Sequence, residues 1–254
     1  MRKKYFFFDI DGTLTFNRGL STAPRTMECL DRLRANGHEV FIASGRLQVD
    51  AMEMAEKFGI DTLVADGGNS LTLHGEVIYL EPLPRDACIE LLEQLERKGI
   101  VWGVVMRNEK RRYSPSEHIK EMTSGSFLTN VIDPAFDFHT APQFMKVFVA
   151  CREGEEDKID FGTLPVVRFN PICIYVEPEN KGAGIRRLMD ILRAPLEDVV
   201  VFGDGTNDVQ MFCPEWTSIA MGNAREVLKK KADYITASVE DDGIYKACKH
   251  FGWI

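Results

Sequence analysis

The chain has 254 residues, 44% of them hydrophobic and 28% charged, with a formal net charge of −8. That balance excludes a disordered or fibrous chain, and the acidic surplus argues against nucleic acid, whose backbone is held by basic surfaces. The length exceeds the about 100–150 residues of a typical single core, so one large α/β domain or two modules is expected.

The first four residues, MRKK, are followed by only four apolar residues before Asp9, too short a run for a secretory signal core. No uncharged stretch approaches the about 18 residues of a membrane span. Six scattered cysteines with no CxxC pair read as reduced, mostly buried thiols, and a cytoplasmic protein without a membrane partner is expected. Residues 5–9 form an unbroken apolar run, the pattern of a strand covered on both faces in a parallel sheet. Pro24 suits a first helical turn, with Met27, Leu30 and Leu33 on one face and Gly37 at the end. HEVFIASGR reads as a second strand entering a turn at Ser44-Gly45-Arg46. Residues 47–58 read as a helix closed by Gly59, and 63–65 as a third strand. The order is βαβαβ, followed by a hairpin around His74-Gly75.

After Pro82 and Pro84 the texture changes. A helix over 85–98 precedes a strand, IVWGVVM. Ser114-Pro115-Ser116-Glu117 has the form of a capping box and predicts a short helix, and Lys110-Arg111-Arg112 before it reads as a solvated hairpin face. A strand, FMKVFVA, a helix near 154–161 and strands VVRF and ICIYVE complete an α+β module. From Lys181 the βα rhythm resumes, with helices at 182–192, 207–212 and 224–230, strands VVVFGDG, TSIAMG and DYIT, and a terminal helix. Trp102 is expected in buried packing.

Ligands of parallel α/β sheets gather at the carboxyl ends of the strands. Asp9, Asp11, Ser44, Asp204 and Asp208 all stand where an apolar strand stops, and Lys181 opens a helix. Carboxylates packed together repel, so they share protons or hold a divalent cation, and an all-oxygen set suits Mg²⁺.

Four motifs in this order, DIDGT (9–13), ASGR (43–46), ENKGAG (179–184) and FGDGTNDVQMF (202–212), resemble those of the haloacid dehalogenase superfamily, specifically its Cof-type phosphatases with a large inserted cap. STAPRT (21–26) also resembles the segment opening that family's first helix. The resemblance implies an α/β fold: a doubly wound, mostly parallel sheet core over 1–81 and 179–254, with an α+β cap inserted over 82–178. It implies a Mg²⁺-dependent phosphatase of small phosphorylated metabolites, sugar phosphates foremost, working through an aspartyl-phosphate. Asp9 would be the nucleophile and Asp11 the general acid. Gly12 and Thr13 would offer backbone N–H groups to the phosphoryl oxygens, and Ser44 and Lys181 would hold the phosphoryl group. Gly45 and Arg46 would lie beside it, Arg46 either on substrate or in a salt bridge, and Asn207 would orient the phosphate or Lys181. Metal ligands would be Asp9, the Asp11 carbonyl and Asp204, with Asp208 joining directly or through water. A phosphomutase of the phosphomannomutase type and an idle phosphate-binding regulator are the alternatives. Ala65-Asp66-Gly67-Gly68-Asn69 departs from the family's usual Asn-Gly-Ala turn, leaving Asp66 and Asn69 without an assigned role.

Overall fold

The computed structural model describes residues 2–17, 19–124 and 126–254. The chain divides into two compact units, one ending at Tyr79 and resuming over Asn180–Ile254, the other Leu80–Glu179. In chain order the elements are β1 (Tyr5–Phe8), α1 (Thr26–Ala35), β2 (Glu39–Ala43), α2 (Gln48–Lys57), β3 (Leu63–Ala65), β4 (Ser70–Leu73) and β5 (Glu76–Leu80). The second unit adds α3 (Arg85–Arg97), β6 (Trp102–Val105), β7 (Arg111–Ser114), α4 (Ile119–Met122), β8 (Thr129–Ile132), β9 (Lys146–Ala150), β10 (Val166–Asn170) and β11 (Cys173–Val176). The chain then returns with α5 (Lys181–Leu192), β12 (Val199–Gly203), β13 (Thr217–Ala220), α6 (Glu226–Lys229), β14 (Tyr234–Ile235) and α7 (Gly243–His250).

The first unit is built on one sheet of order β14-β13-β12-β1-β2-β3-β4-β5. The strands from β14 to β3 pair in parallel, and β4 turns antiparallel to β3. β1 lies at the switch point, between β2 and the returning β12, with Phe8 opposite both Ile42 and Phe202. Its side chains alternate between two cores. Phe6 and Phe8 join Leu30, Leu33, Ile42 and Ile244 on one face, while Phe7 joins Val64, Ile185, Leu188 and Val201 on the other. Helices cover both faces, which is why β1 is apolar throughout and the fold is doubly wound.

The second unit carries a six-stranded sheet, β10-β11-β9-β6-β7-β8, whose apolar face is packed with Leu91, Leu92 and Leu95 of α3. Trp102 is buried there, edge-on to Phe138 at 5.4 Å. Here the sequence reading needs correction. Ser114 ends β7 and opens no helix: its hydroxyl donates to the Trp102 carbonyl and accepts from the Ser116 N–H, a local turn that competes with helix formation. Among the described residues nearby, the helix is the single turn α4. Near 154–161 the chain forms one 3₁₀ turn, Glu156–Lys158. Arg112 is not part of a solvated face, being 0% exposed. Its guanidinium donates twice to Asn130 Oδ1, at 2.9 and 2.7 Å, and lies 4.5 Å from the centre of the Phe148 ring. Burial draws its pKa down to about 10. No helix among the described residues is long and apolar enough to cross a membrane, and all six cysteines are free thiols, five of them buried.

Candidate active site

The apolar run of β1 ends at Asp9, which is 4% exposed. Its N–H continues the ladder to the Phe202 carbonyl of β12 at 3.0 Å, so the backbone is fixed up to the first carboxylate. The chain then turns sharply. Leu14 N–H returns to the Asp9 carbonyl and Gly12 N–H reaches the Thr15 carbonyl. Gly12 has φ +88°, and a Cβ there would lie 2.2 Å from Asp204 Oδ2, so both conformation and space call for glycine.

Lys181 stands at the first position of α5 and is 1% exposed. Its ammonium donates to Asp9 Oδ1 at 2.6 Å and to Asp208 Oδ1 at 2.5 Å. Asp208 uses its other oxygen to accept the N–H groups of Asp204 and Gly205, both at 2.9 Å. It therefore ties the loop after β12 to the lysine. That loop continues as a 3₁₀ segment, Thr206–Met211, where the sequence suggested an α-helix. Asn180 caps α5 by accepting the Ala183 N–H. The start of α5 is set by close packing: a Cβ on Gly68 would come 2.2 Å from the Asn180 carbonyl oxygen, and one on Gly182 2.2 Å from that of Gln210. The unusual Asp66-Gly67-Gly68 turn thus acquires a role. Asp66 Oδ2 accepts the Gln48 N–H at the start of α2, and Gly68 lets α5 approach.

Asp204 accepts the Thr13 hydroxyl at Oδ1, 3.2 Å away. Ser44 is buried beyond β2. Its N–H bonds to the Val64 carbonyl, and its hydroxyl accepts the Arg46 N–H. Arg46 grips Asp11 through both carboxylate oxygens, at 2.8 and 2.7 Å, and reaches Asp50 at 3.1 Å. Gly45 lies between Ser44 and Arg46. Asn207 is half-buried beside Asp208, and the ammonium of Lys181 meets Asp9 and Asp208 rather than Asn207.

The electrostatics follow from crowding. Oxygens of Asp9, Asp204 and Asp208 lie within 4.8 Å of one another against one buried ammonium. Burial, then the Asp208 charge, pushes Asp9 well above the ordinary carboxylate range. The same two causes lift Asp204 to about 7. Burial alone would pull Lys181 down, but Asp208 and Asp9 more than reverse this and hold it charged.

A family model described as haloacid dehalogenase-like hydrolase matches residues 6–248. Bacillus subtilis YkrA, which its name classes with the phosphatases, is 32% identical over 256 residues, covering 99% of both chains. The chain belongs to the haloacid dehalogenase-like hydrolases. Among solved structures, a hypothetical protein from Geobacillus kaustophilus HTA426 superposes with a TM-score of 0.87 at 30% identity, covering 100% of both chains. A subclass IIB sugar phosphatase of the haloacid dehalogenase superfamily superposes at 0.81 with 29% identity, covering 99% of this chain and 100% of its own.

This haloacid dehalogenase-like hydrolase is a phosphatase of small phosphorylated compounds. Its acidic cluster has the donor chemistry of a hard divalent cation: oxygen atoms only, buried at Asp9 and Asp208 and half-buried at Asp204, and in excess of the local positive charge. One residue escaped the sequence reading. Asn223, in the loop after β13, donates through Nδ2 to the Gly12 carbonyl at 2.9 Å and to Asp204 Oδ2 at 3.3 Å. The signal was available, because TSIAMG is a strand of the same parallel sheet and Asn223 stands beyond its carboxyl end like the other site residues.

Proposed function

We propose that this hydrolase is a Mg²⁺-dependent phosphomonoesterase that works through an aspartyl-phosphate on Asp9, with sugar phosphates as its foremost substrates. The observation that carries the reading is the Asp9–Lys181–Asp208 chain. A carboxylate needed as a nucleophile sits buried at a strand end, and a buried ammonium paired with it opposes the burial and the Asp208 charge that favour its protonated form. The similarity to a sugar phosphatase over the full chain supports the substrate class.

Mg²⁺ would be held by Asp9 and Asp204 and would offset charge building on the phosphoryl oxygens. In the first step an Asp9 carboxylate oxygen forms a bond to phosphorus while the ester P–O bond breaks, and Asp11 gives its proton to the departing alkoxide. In the second, Asp11 takes a proton from water as the water oxygen attacks phosphorus and the bond to Asp9 breaks. Lys181, the Ser44 hydroxyl and the Thr13 N–H bear the charge of the transferring group, whereas the Gly12 N–H, expected to join them, is taken by the Thr15 carbonyl at 2.7 Å. Asp208 steadies Lys181 and the Asp204 backbone. Arg46 donates to both Asp11 oxygens, a two-point grip that suits the carboxylate, so Asp11 leaves it to carry the proton that it hands to the leaving group.

Hydrolysis of p-nitrophenyl phosphate and of a panel of phosphorylated metabolites, with Mg²⁺ or with EDTA, tests this. Turnover is expected with Mg²⁺ only, with sugar phosphates ranked first, and folded Asp9→Asn should lose it, because an amide supplies no attacking carboxylate oxygen. Full activity in EDTA, or near wild-type kcat in Asp9→Asn, would overturn the reading.

A further inference from the structure

We infer that Asn223 is a positioning residue for the metal site: its side-chain amide holds the Asp204 carboxylate and the Gly12 peptide in the geometry that receives the cation. The inference rests on the proposed Asp9–Asp204 metal site and extends it to a residue outside the four motifs.

The amide is fully specified by its partners. Its Oδ1 accepts the Val239 N–H at 2.9 Å, and its Nδ2 faces two acceptors, the Gly12 carbonyl and Asp204 Oδ2. Flipped, it would set oxygen against both acceptors and N–H against the Val239 donor, so all three contacts select one orientation. The backbone that carries it is pinned on either side. Met221 N–H bonds to the Gly203 carbonyl, Gly222 N–H to the Ala237 carbonyl, and Arg225 N–H to the carbonyl of Asp204 itself. A Cβ on Gly222 would lie 2.6 Å from Ser238 N, so glycine is what lets these loops close up. One side chain therefore joins the loops that follow β1, β12, β13 and β14.

The consequence for Asp204 is orientational. Thr13 donates to one carboxylate oxygen and Asn223 to the other, so rotation of the group is restrained while each oxygen keeps a lone pair for a cation. Neutral donors do this without adding positive charge that would compete with a metal. Partners that orient a ligand in this way are usually worth about 10- to 100-fold in metal affinity.

Mg²⁺ binding by calorimetry to wild type, Asn223→Ala and Asp204→Asn, with Tm in EDTA for each, is the test. Asn223→Ala should bind Mg²⁺ about 10- to 100-fold more weakly, and the activity it loses at low Mg²⁺ should return as Mg²⁺ is raised. Asn223→Ser, which keeps one short donor, should fall between the two and serves if the alanine variant does not fold. Unchanged Mg²⁺ affinity with a lowered Tm in EDTA would show a loop-tying role alone and overturn the inference. If wild type bound no Mg²⁺, or Asp204→Asn bound it as wild type does, the metal-site reading itself would fall, and this inference with it.

Discussion

In the protein without metal, burial and the Asp208 carboxylate lift the pKa of Asp204 to about 7 from an ordinary 3.8. Between those two values the folded chain binds this proton more tightly than the unfolded chain does. The stability this proton contributes is therefore full below about pH 4 and is lost as pH rises toward 7. Asp204→Asn removes the titration, and the Thr13 hydroxyl can turn to accept from the new amide. In EDTA at pH 8 the variant should melt several degrees above wild type, at about 2–4 °C for each kcal/mol in a chain of this size, and the gap should close near pH 4. Saturating Mg²⁺ should reverse the order by stabilising wild type alone. A wild type at least as heat-stable as Asp204→Asn in EDTA at pH 8 would show that the cluster is not under this strain. At this scale the charged residues were legible, because Asp9, Asp11, Lys181 and Asp204 stand at strand or helix ends where an ionised group demands a reason. Asn223 went unread although its place beyond the end of β13 pointed to the ligand edge, because a single neutral amide in a loop demands no reason until its partners are seen.

Among the elements, the start of α5 shows how local sequence and packing disagree. Glycines at 182 and 184 weaken a helix by roughly 0.5–1 kcal/mol each relative to alanine, so Gly182→Ala should be stabilising on propensity. Packing reverses this, since the new Cβ would lie 2.2 Å from the Gln210 carbonyl oxygen, which is backbone and has little freedom to yield. The substitution should destabilise the protein by about 1–3 kcal/mol and lower kcat by displacing Lys181 from Asp9 and Asp208. A raised Tm with unchanged kcat would contradict that. The sequence showed a helix here from its apolar spacing, but the meaning of Lys181-Gly182-Ala183-Gly184 lay in neighbours distant along the chain. The same limit explains β7 and β8, which went unread. Arg111–Ser114 is rich in charge, and only the pairing of Arg112 with Asn130 and its place over Phe148 make it a strand with a buried arginine. Thr206–Met211 is too short for spacing to separate an α-helix from a 3₁₀ segment.

For the whole molecule, the doubly wound sheet accounts for how residues far apart in sequence come together. β1 at the switch point and β12 beside it place Asp9 and Asp204 at adjacent strand ends, and the return of the chain through α5 brings Lys181 to them. That much was legible, because parallel strands fix one edge as the ligand edge. The second unit offered no such rule: its sheet is ordinary antiparallel pairing apart from β7 with β8, and the sequence held no motif there. The central claim is that the Asp9 carboxylate attacks phosphorus and becomes phosphorylated. It is tested most directly by rapid acid quench during turnover with Mg²⁺, followed by mass spectrometry of the peptide containing Asp9. The account predicts one phosphoryl group on Asp9 that appears before steady state, is absent in Asp9→Asn, and persists longer in Asp11→Ala, where the base for its hydrolysis is missing. Turnover with a phosphoryl group trapped on another residue, or an equal trace in Asp9→Asn, would contradict it.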